Sequence, residues 1–312
     1  MLNSLKDKIW YEKYRPSNIS EYVFQSNEHK KAICSYIEKQ DIPHLLLSGG
    51  PGGGKTTLVR VLINELHVDP IDVLVVNASD ENSVDVIREK IKGFITSFAV
   101  GSFKLVHLEE ADRITPSAQD ALKAMMEDYA DVARFILTCN AENKITPPIR
   151  SRCTHFRFKS VDKVDLALYL VNILKKEKVK CDIDTLDQYI DAAYPDIRKT
   201  INLIQQHSAH GILEPFNGNS KEVGEYVDEL LDAINEDRWE AARSITTHHV
   251  SGEDWDSFYR VLCEQIDKCG KFKEKAKWEA AIVTISEHLY RDSHVADREI
   301  NAIAMLIKLS HI

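Results

Sequence analysis

Residues 44–58 read HLLLSGGPGGGKTTL, and the reading of this stretch decides the fold. Leu45, Leu46 and Leu47 form a short apolar run of the kind a buried strand makes, and Gly49 to Lys55 form a glycine-rich turn. From Thr56 onward Leu58, Val59, Leu62, Ile63 and Leu66 recur at helical spacing. Strand, glycine turn and helix are the context that a phosphate-binding loop requires. The pattern is complete: Gly49, four residues (Gly50, Pro51, Gly52, Gly53), then Gly54, Lys55 and Thr56. Glycines let backbone N–H groups close on phosphate oxygens with no Cβ in the way. The N-terminus of the following helix adds partial positive charge. Lys55 is expected to reach the β- and γ-phosphates, and the Thr56 hydroxyl to ligate magnesium.

Working outward, the chain's 312 residues are enough for two or three domains, and 44% hydrophobic with 29% charged residues is ordinary globular composition. The net charge of −9 argues against a surface that is basic overall, while leaving room for a local basic stripe. No N-terminal stretch resembles a signal peptide, and no apolar run approaches membrane length, so no membrane role is expected. Cys34, Cys139, Cys153, Cys181, Cys263 and Cys269 are scattered without a C-x-x-C pair. Neither a zinc ribbon nor a disulfide framework is indicated, and a reducing, cytoplasmic compartment is expected.

Residues 1–25 are polar with interleaved aromatics (Trp10, Tyr11, Tyr14, Tyr22, Phe24). They read either as an arm packed on the core or as groups lying near a nucleotide base. A helix is predicted over 28–39, with Ala32, Ile33, Tyr36 and Ile37 on one face. After the loop helix comes a β-branched strand, Val73–Val76, and then Ser79 and Asp80 as N-cap types before a helix carrying Val84, Val86, Ile87 and Ile91. That helix also carries Arg88, Lys90 and Lys92, which by themselves read as a solvated face. Phe94, Ile95, Phe98 and Phe103 follow, and read alone they are core residues.

The next strand, Leu105-Val106-His107-Leu108, runs into Glu109 and Glu110. Open α/β sheets bind ligands at the carboxyl ends of their strands. There one carboxylate can hold magnesium and its neighbour can orient the attacking water. A helix over 117–127 with Ser117 as cap precedes the strand Phe135–Thr138, which ends at Asn140, a residue able to touch the γ-phosphate or the water. A loop at Pro147-Pro148, the segment Arg150-Ser151-Arg152-Cys153 and a short strand at Phe156–Phe158 complete an alternating pattern, which predicts a parallel α/β sheet. From about Val161 only helical periodicity remains, in 161–220 and again in 223–312 (225–235, 237–245, 253–269, 274–290, 297–309). The Gly-, Pro- and Asn-rich loop 211–220 is the natural boundary between these two stretches. Three domains are therefore expected: 1–160 α/β, 161–220 helical, and 221–312 helical.

Seven segments carry a family resemblance: WYEKYRPSNISEYVFQ (10–25), GGPGGGKTT (49–57), NASD (77–80), LEEAD (108–112), TCN (138–140), SRC (151–153) and DIRKTIN (196–202). In this order and spacing over about 200 residues the chain resembles AAA+ clamp-loader ATPase subunits. It is similar both to replication factor C small subunits and to the large subunit of T-even-like bacteriophage clamp loaders. The resemblance implies an AAA+ P-loop domain, a helical lid and an all-helical collar. It implies ATP and Mg2+ as ligands, with a sliding clamp, primer–template DNA and other loader subunits in a pentameric ring (several copies of this chain and a different small subunit) as partners. Site roles follow in the same way. Tyr14, Arg15, Pro16 and Val23 frame the adenine, Gly49–Thr57 hold the phosphates, and Thr56 with Glu109 holds the metal. Glu110 completes the Walker B pair, Asn140 is sensor 1, Arg198 is sensor 2, and Arg152 is an arginine finger acting on the neighbouring subunit's ATP. Arg88 and Lys92 become candidates for DNA contact, and Phe94, Ile95 and Phe98 for clamp contact.

Two departures from the family pattern stand out. Glu109 occupies a position where aspartate is common, and Asn82-Ser83 stand where Arg-Gly often does, which weakens the transfer of a DNA contact to Asn82. Two other readings remain at this point: a non-hydrolysing scaffold subunit, and another AAA+ machine such as a branch-migration helicase. Intact Lys55, Thr56 and Glu110 speak against the first, and the SRC box against the second.

Overall fold

A computed structural model describes residues 8–79, 84–208, 211–216, 220–250, 255–292 and 294–312. Five parallel strands form its sheet: β1 (Leu45–Gly49), β2 (Val73–Asn77), β3 (Lys104–Glu109), β4 (Ala133–Cys139) and β5 (Thr154–Phe158), in the spatial order β2-β3-β4-β1-β5. The apolar runs read from the sequence are these strands; β1, β3 and β4 are buried on both faces, and the edge strands β2 and β5 are covered only in part. Register aligns the functional ends. Asn77 pairs with Glu109, Ser48 with Cys139, and Gly49 with Phe158, so the polar residues that close each strand collect along one edge.

One sheet face packs Leu45, Leu47, Leu105 and Ile136 against Leu58, Val59 and Leu62 of the loop helix α1 (Lys55–Glu65), together with Ile33 of the preceding helix Asn27–Lys39. The predicted face of that preceding helix is observed, with Ala32, Tyr36 and Ile37 around the buried Ile33. The other sheet face packs Val106, Leu108, Phe135 and Leu137 against α2 (Val84–Ile95) and α3 (Pro116–Asp128). The cap of α3 is Thr115, whose hydroxyl accepts from the Ala118 N–H; Pro116 occupies the first turn, so the helix starts earlier than a Ser117 cap implied. The proposed cap Asp80 lies outside the described residues.

Three helices follow: α4 (Lys163–Lys176), α5 (Ile183–Ala193) and α6 (Ile197–Gln206), with a core of Leu166, Leu170, Ile173, Tyr189, Ile190 and Ile201. Trp10 belongs to this helical core, not to the sheet. Its backbone N–H donates to Gln205 Oε1, and Tyr169 donates to the Tyr14 carbonyl at 2.8 Å. An N-terminal arm read as part of a 1–160 domain is therefore shared between the sheet and these helices.

Contacts divide the chain into two compact units, residues 1–216 and 217–312, with the division inside the loop 211–220. The second unit is helical: α7 (Ser220–Asn235), α8 (Trp239–His249), α9 (Trp255–Gln265), α10 (Lys275–Asp292) and α11 (Arg298–Ser310). Its own core includes Leu230, Tyr259, Leu262, Ile285, Met305 and Leu309. The helix expected to reach residue 269 stops at Gln265 and continues as two short 3-10 turns, with Phe272 buried beside them. Among the described residues no helix is long and apolar enough to cross a membrane.

Candidate nucleotide-binding site

The loop between β1 and α1 is built by backbone geometry that side chains would obstruct. Gly54 has φ +87°, and Gly52 has φ +69° with its α-carbon against the Asp196 carboxylate, where any Cβ would collide. Lys55 opens α1 and is almost fully buried. Its ammonium donates to Gly49 O (2.7 Å), Gly50 O (2.7 Å) and Asn140 Oδ1 (2.9 Å), which uses all three of its hydrogens. Burial lowers the Lys55 pKa, and the nearby Asp112 carboxylate opposes the shift. Sequence-distant residues therefore meet at one amine: the phosphate-loop carbonyls and the amide closing β4.

Asn140 is itself held in place. Its N–H and that of Ala141 donate to the two Asp112 oxygens at 3.3 and 3.2 Å. The motif LEEAD does not by itself assign Asp112 a role; its function as an anchor depends on β3 and β4 being neighbours, which only the topology reveals.

The cavity beside the loop is lined by Gly52, Gly53, Gly54, Lys55, Thr56 and Thr57. The arm supplies Tyr11, Glu12, Arg15, Pro16, Tyr22 and Val23, and the helices supply Tyr169, Ile197, Arg198 and Ile201. Arg15, Pro16, Val23 and Arg198 are therefore brought to the loop as expected. Gly49, Gly50 and Pro51 form the loop's first half, outside the cavity lining, where two of them present carbonyls to Lys55. Tyr14 requires correction. Its hydroxyl donates to Glu177 and its ring sits between Lys13 and Lys176, so it faces a separate groove. Tyr11, three residues earlier on one helical turn, lines the cavity instead, with Arg198 5.5 Å over its ring. Arg15 donates to Thr57 Oγ1 (3.3 Å) and Glu12 (3.4 Å), which places its charge over the first turn of α1. Tyr22 and Gln25 donate to Gly54 O and Gly53 O, tying the arm to the loop.

Glu109 and Glu110 diverge. Glu109 ends β3 with its carboxylate 3.9 Å from His107 Nδ1, whereas Glu110 takes a left-handed backbone (φ 51°) and accepts from Ser79 and from Arg113 (2.8 Å). His107 is buried, and desolvation lowers its pKa to about 4, with the Arg15 charge adding to the effect. The Thr56 hydroxyl and the Glu109 carboxylate are hard oxygen donors of the type magnesium takes, so the residues present fit that ion.

Arg152 does not line this cavity. It follows the short helix Pro147–Arg150 and pairs with Glu127 and with Pro148 O (2.6 Å), partly exposed. Nearby, Glu142 gathers Ser48 Oγ (2.9 Å), His155 and Arg157; the Arg157 guanidinium holds its carboxyl down to about 2. Arg88 and Lys92 are exposed on α2. Of the three expected clamp-contact residues, Phe98 is 88% exposed and Phe94 half-buried, whereas Ile95 is buried in the core under α2 and must be withdrawn as a surface contact.

Residues 45–161 match the ATPase family associated with various cellular activities (AAA). Along nearly its full length (99%) the chain is 34% identical to a replication factor C small subunit of Saccharolobus solfataricus, covering 96% of that protein. The chain belongs to the replication factor C small-subunit family. A second replication factor C small subunit, from Methanococcus maripaludis, is 43% identical over 206 residues; there the chain spans 65% of the relative's length. The fold is also shared with the RuvB Holliday junction branch migration motor of Thermotoga maritima, at a TM-score of 0.54, covering 81% of this chain and 79% of that one. At 17% identity that likeness speaks for the fold alone. Within the replication factor C family frame, the AAA match covers β1 to β5 and so contains the loop, Glu109, Glu110, Asn140 and Arg152.

Proposed function

We propose that this chain is an ATP-hydrolysing subunit of a sliding-clamp loader, acting with other loader subunits to open the clamp and place it on primer–template DNA. The observation that carries this reading is the Lys55 ammonium joined at once to the phosphate-loop carbonyls and to Asn140, with Arg198 lining the same cavity, in a chain of the replication factor C family.

The residues act as follows. Gly49–Thr57 bind phosphates through backbone N–H groups and the α1 N-terminus. Lys55 exchanges its carbonyl partners for phosphate oxygens, so its charge is delivered from a prearranged position. Thr56 and Glu109 would hold Mg2+, which supplies charge neutralisation at the phosphates. Glu110 orients the attacking water and accepts its proton; to do so it leaves Ser79 and Arg113. Asn140 and Arg198 stabilise charge on the transferred phosphoryl group. Arg152 leaves Glu127 to act on ATP of a neighbouring subunit, so hydrolysis depends on subunit arrangement. Residues 161–216 serve as the lid and 217–312 as the collar of a pentameric ring. Arg88 and Lys92 serve DNA backbone contact, and Phe98 with the adjoining Phe94 serves clamp contact.

Steady-state ATPase measured with and without the partner subunit, alone, with primer–template DNA, and with DNA plus clamp, tests the reading. Joint stimulation by DNA and clamp is expected; a rate indifferent to the clamp overturns it. An assembly made wholly with Arg152→Ala is expected to bind ATP and lose the stimulated rate, and normal stimulation there would remove the finger acting in trans.

A further inference from the structure

His107 has no part in the reading above, yet it lies beside Glu109 near the carboxyl edge of the sheet. It lies two residues before Glu109 on β3, so both side chains leave the same face of the sheet, the face covered by α1. Only 3% of it is exposed. A buried imidazole loses hydration unless its nitrogens find partners. Nε2 stands 3.5 Å from Thr138 Oγ1 on β4, and Nδ1 stands 3.9 Å from Glu109 Oε1. The second separation is beyond a hydrogen bond, but glutamate has three side-chain torsions with which to close it. A neutral imidazole carries one N–H and one lone pair. A carboxylate beside Nδ1 favours the tautomer with its hydrogen there, which leaves the Nε2 lone pair to share the Thr138 hydroxyl hydrogen with the Leu108 carbonyl, 3.4 Å from the same oxygen. The result is a chain, Thr138 to His107 to Glu109, running across two neighbouring strands.

We propose that His107 is a positioning residue for the metal ligand: it donates from Nδ1 to the Glu109 carboxylate and so fixes the direction in which the longer glutamate presents its oxygens to magnesium. This rests on the reading of Glu109 as a magnesium ligand. The chemistry is that of outer groups that orient metal-binding carboxylates, whose loss costs about 10–100-fold in metal affinity. An aspartate, with one torsion fewer, has less need of such a partner.

The test is binding of a fluorescent non-hydrolysable ATP analogue, titrated with Mg2+ and compared with binding in EDTA. For His107→Leu the Mg2+ concentration at half-effect is expected to rise about 10–100-fold, with a much smaller change in EDTA. His107→Asn, whose amide N–H stands near the Nδ1 position, is expected to restore most of the magnesium response; His107→Gln, whose donor stands near Nε2, is not. An unchanged Mg2+ requirement in His107→Leu overturns the proposal, as does an equal loss of binding with and without metal, which would make His107 a packing residue only. Should the leucine variant fail to fold, the asparagine and glutamine variants carry the comparison, and equal magnesium responses in the two overturn it. A wild type whose nucleotide binding ignores magnesium would instead remove the assignment of Glu109.

Discussion

The two ends of the one parallel sheet solve opposite problems. At the carboxyl end, strands stop in Gly49, Asn77, Glu109 and Cys139-Asn140, and the charged groups there hold partners that can be exchanged: Lys55 on loop carbonyls, Glu110 on Ser79 and Arg113. At the amino end the charge is sealed in. Asp72, just before β2, and Lys104, the first residue of β3, are buried 3.7 Å apart. Asp72 accepts from the Val100 and Gly101 N–H groups, and Lys104 donates to Ser97 Oγ (2.6 Å) and lies 4.4 Å over the Phe94 ring. This pair pins the segment 97–101, which carries exposed Phe98 and Val100, with Ile71 and Val132 exposed beside the neighbouring strand starts. On the proposed function one end is a site where charges change partners; the other holds an apolar tip on a buried ion pair. Charge serves function when its partners are replaceable and serves architecture when they are not.

That contrast can be broken experimentally, starting with the largest effect. Lys55→Ala should lower ATP hydrolysis by roughly 10²-fold or more, the scale of removing one preorganised charge-stabilising donor, as read in a coupled ATPase assay. Lys104→Met leaves the Asp72 carboxylate buried without its counter-ion, and chemical denaturation should register a loss of about 3–5 kcal/mol. Asp72→Asn combined with Lys104→Met should recover part of that loss, since a buried pair replaced on both sides costs less than one broken. A double-variant loss equal to the sum of the two single losses would mean that the two side chains act independently.

Glu142 sharpens the comparison at the carboxyl end through pH. Its folded pKa of about 2 lies below the ordinary 4.5, so the carboxylate contributes stability above pH 4.5 and loses it progressively as pH falls towards 2. The stability gap between wild type and Glu142→Gln should therefore be largest near neutrality and close over that interval in acid-denaturation profiles. Phe98→Ala should be the quietest change to the fold, within about 0.5 kcal/mol as for most exposed positions. It should leave basal ATPase intact and reduce only stimulation by the clamp; a large fall in stability would show that the tip is packed rather than presented.

The sequence by itself determined the strands, the phosphate loop and the acidic strand end, because each is local. An apolar run, a glycine spacing and a helical period are all read within a dozen residues. It also carried Arg198 and Asn140, through motifs. Tertiary structure alone decided which of Tyr11 and Tyr14 faces the cavity, since residues three apart share a helical face and only their partners separate them, Arg198 over Tyr11 and Glu177 at the Tyr14 hydroxyl. It decided that Ile95 is core while Phe98 is surface, that Asp112 anchors Asn140, and that Asp72 meets Lys104. The physical reason is common to all four. Each depends on which strands are neighbours and which face of an element is covered, and those facts arise only when segments tens of residues apart pack together.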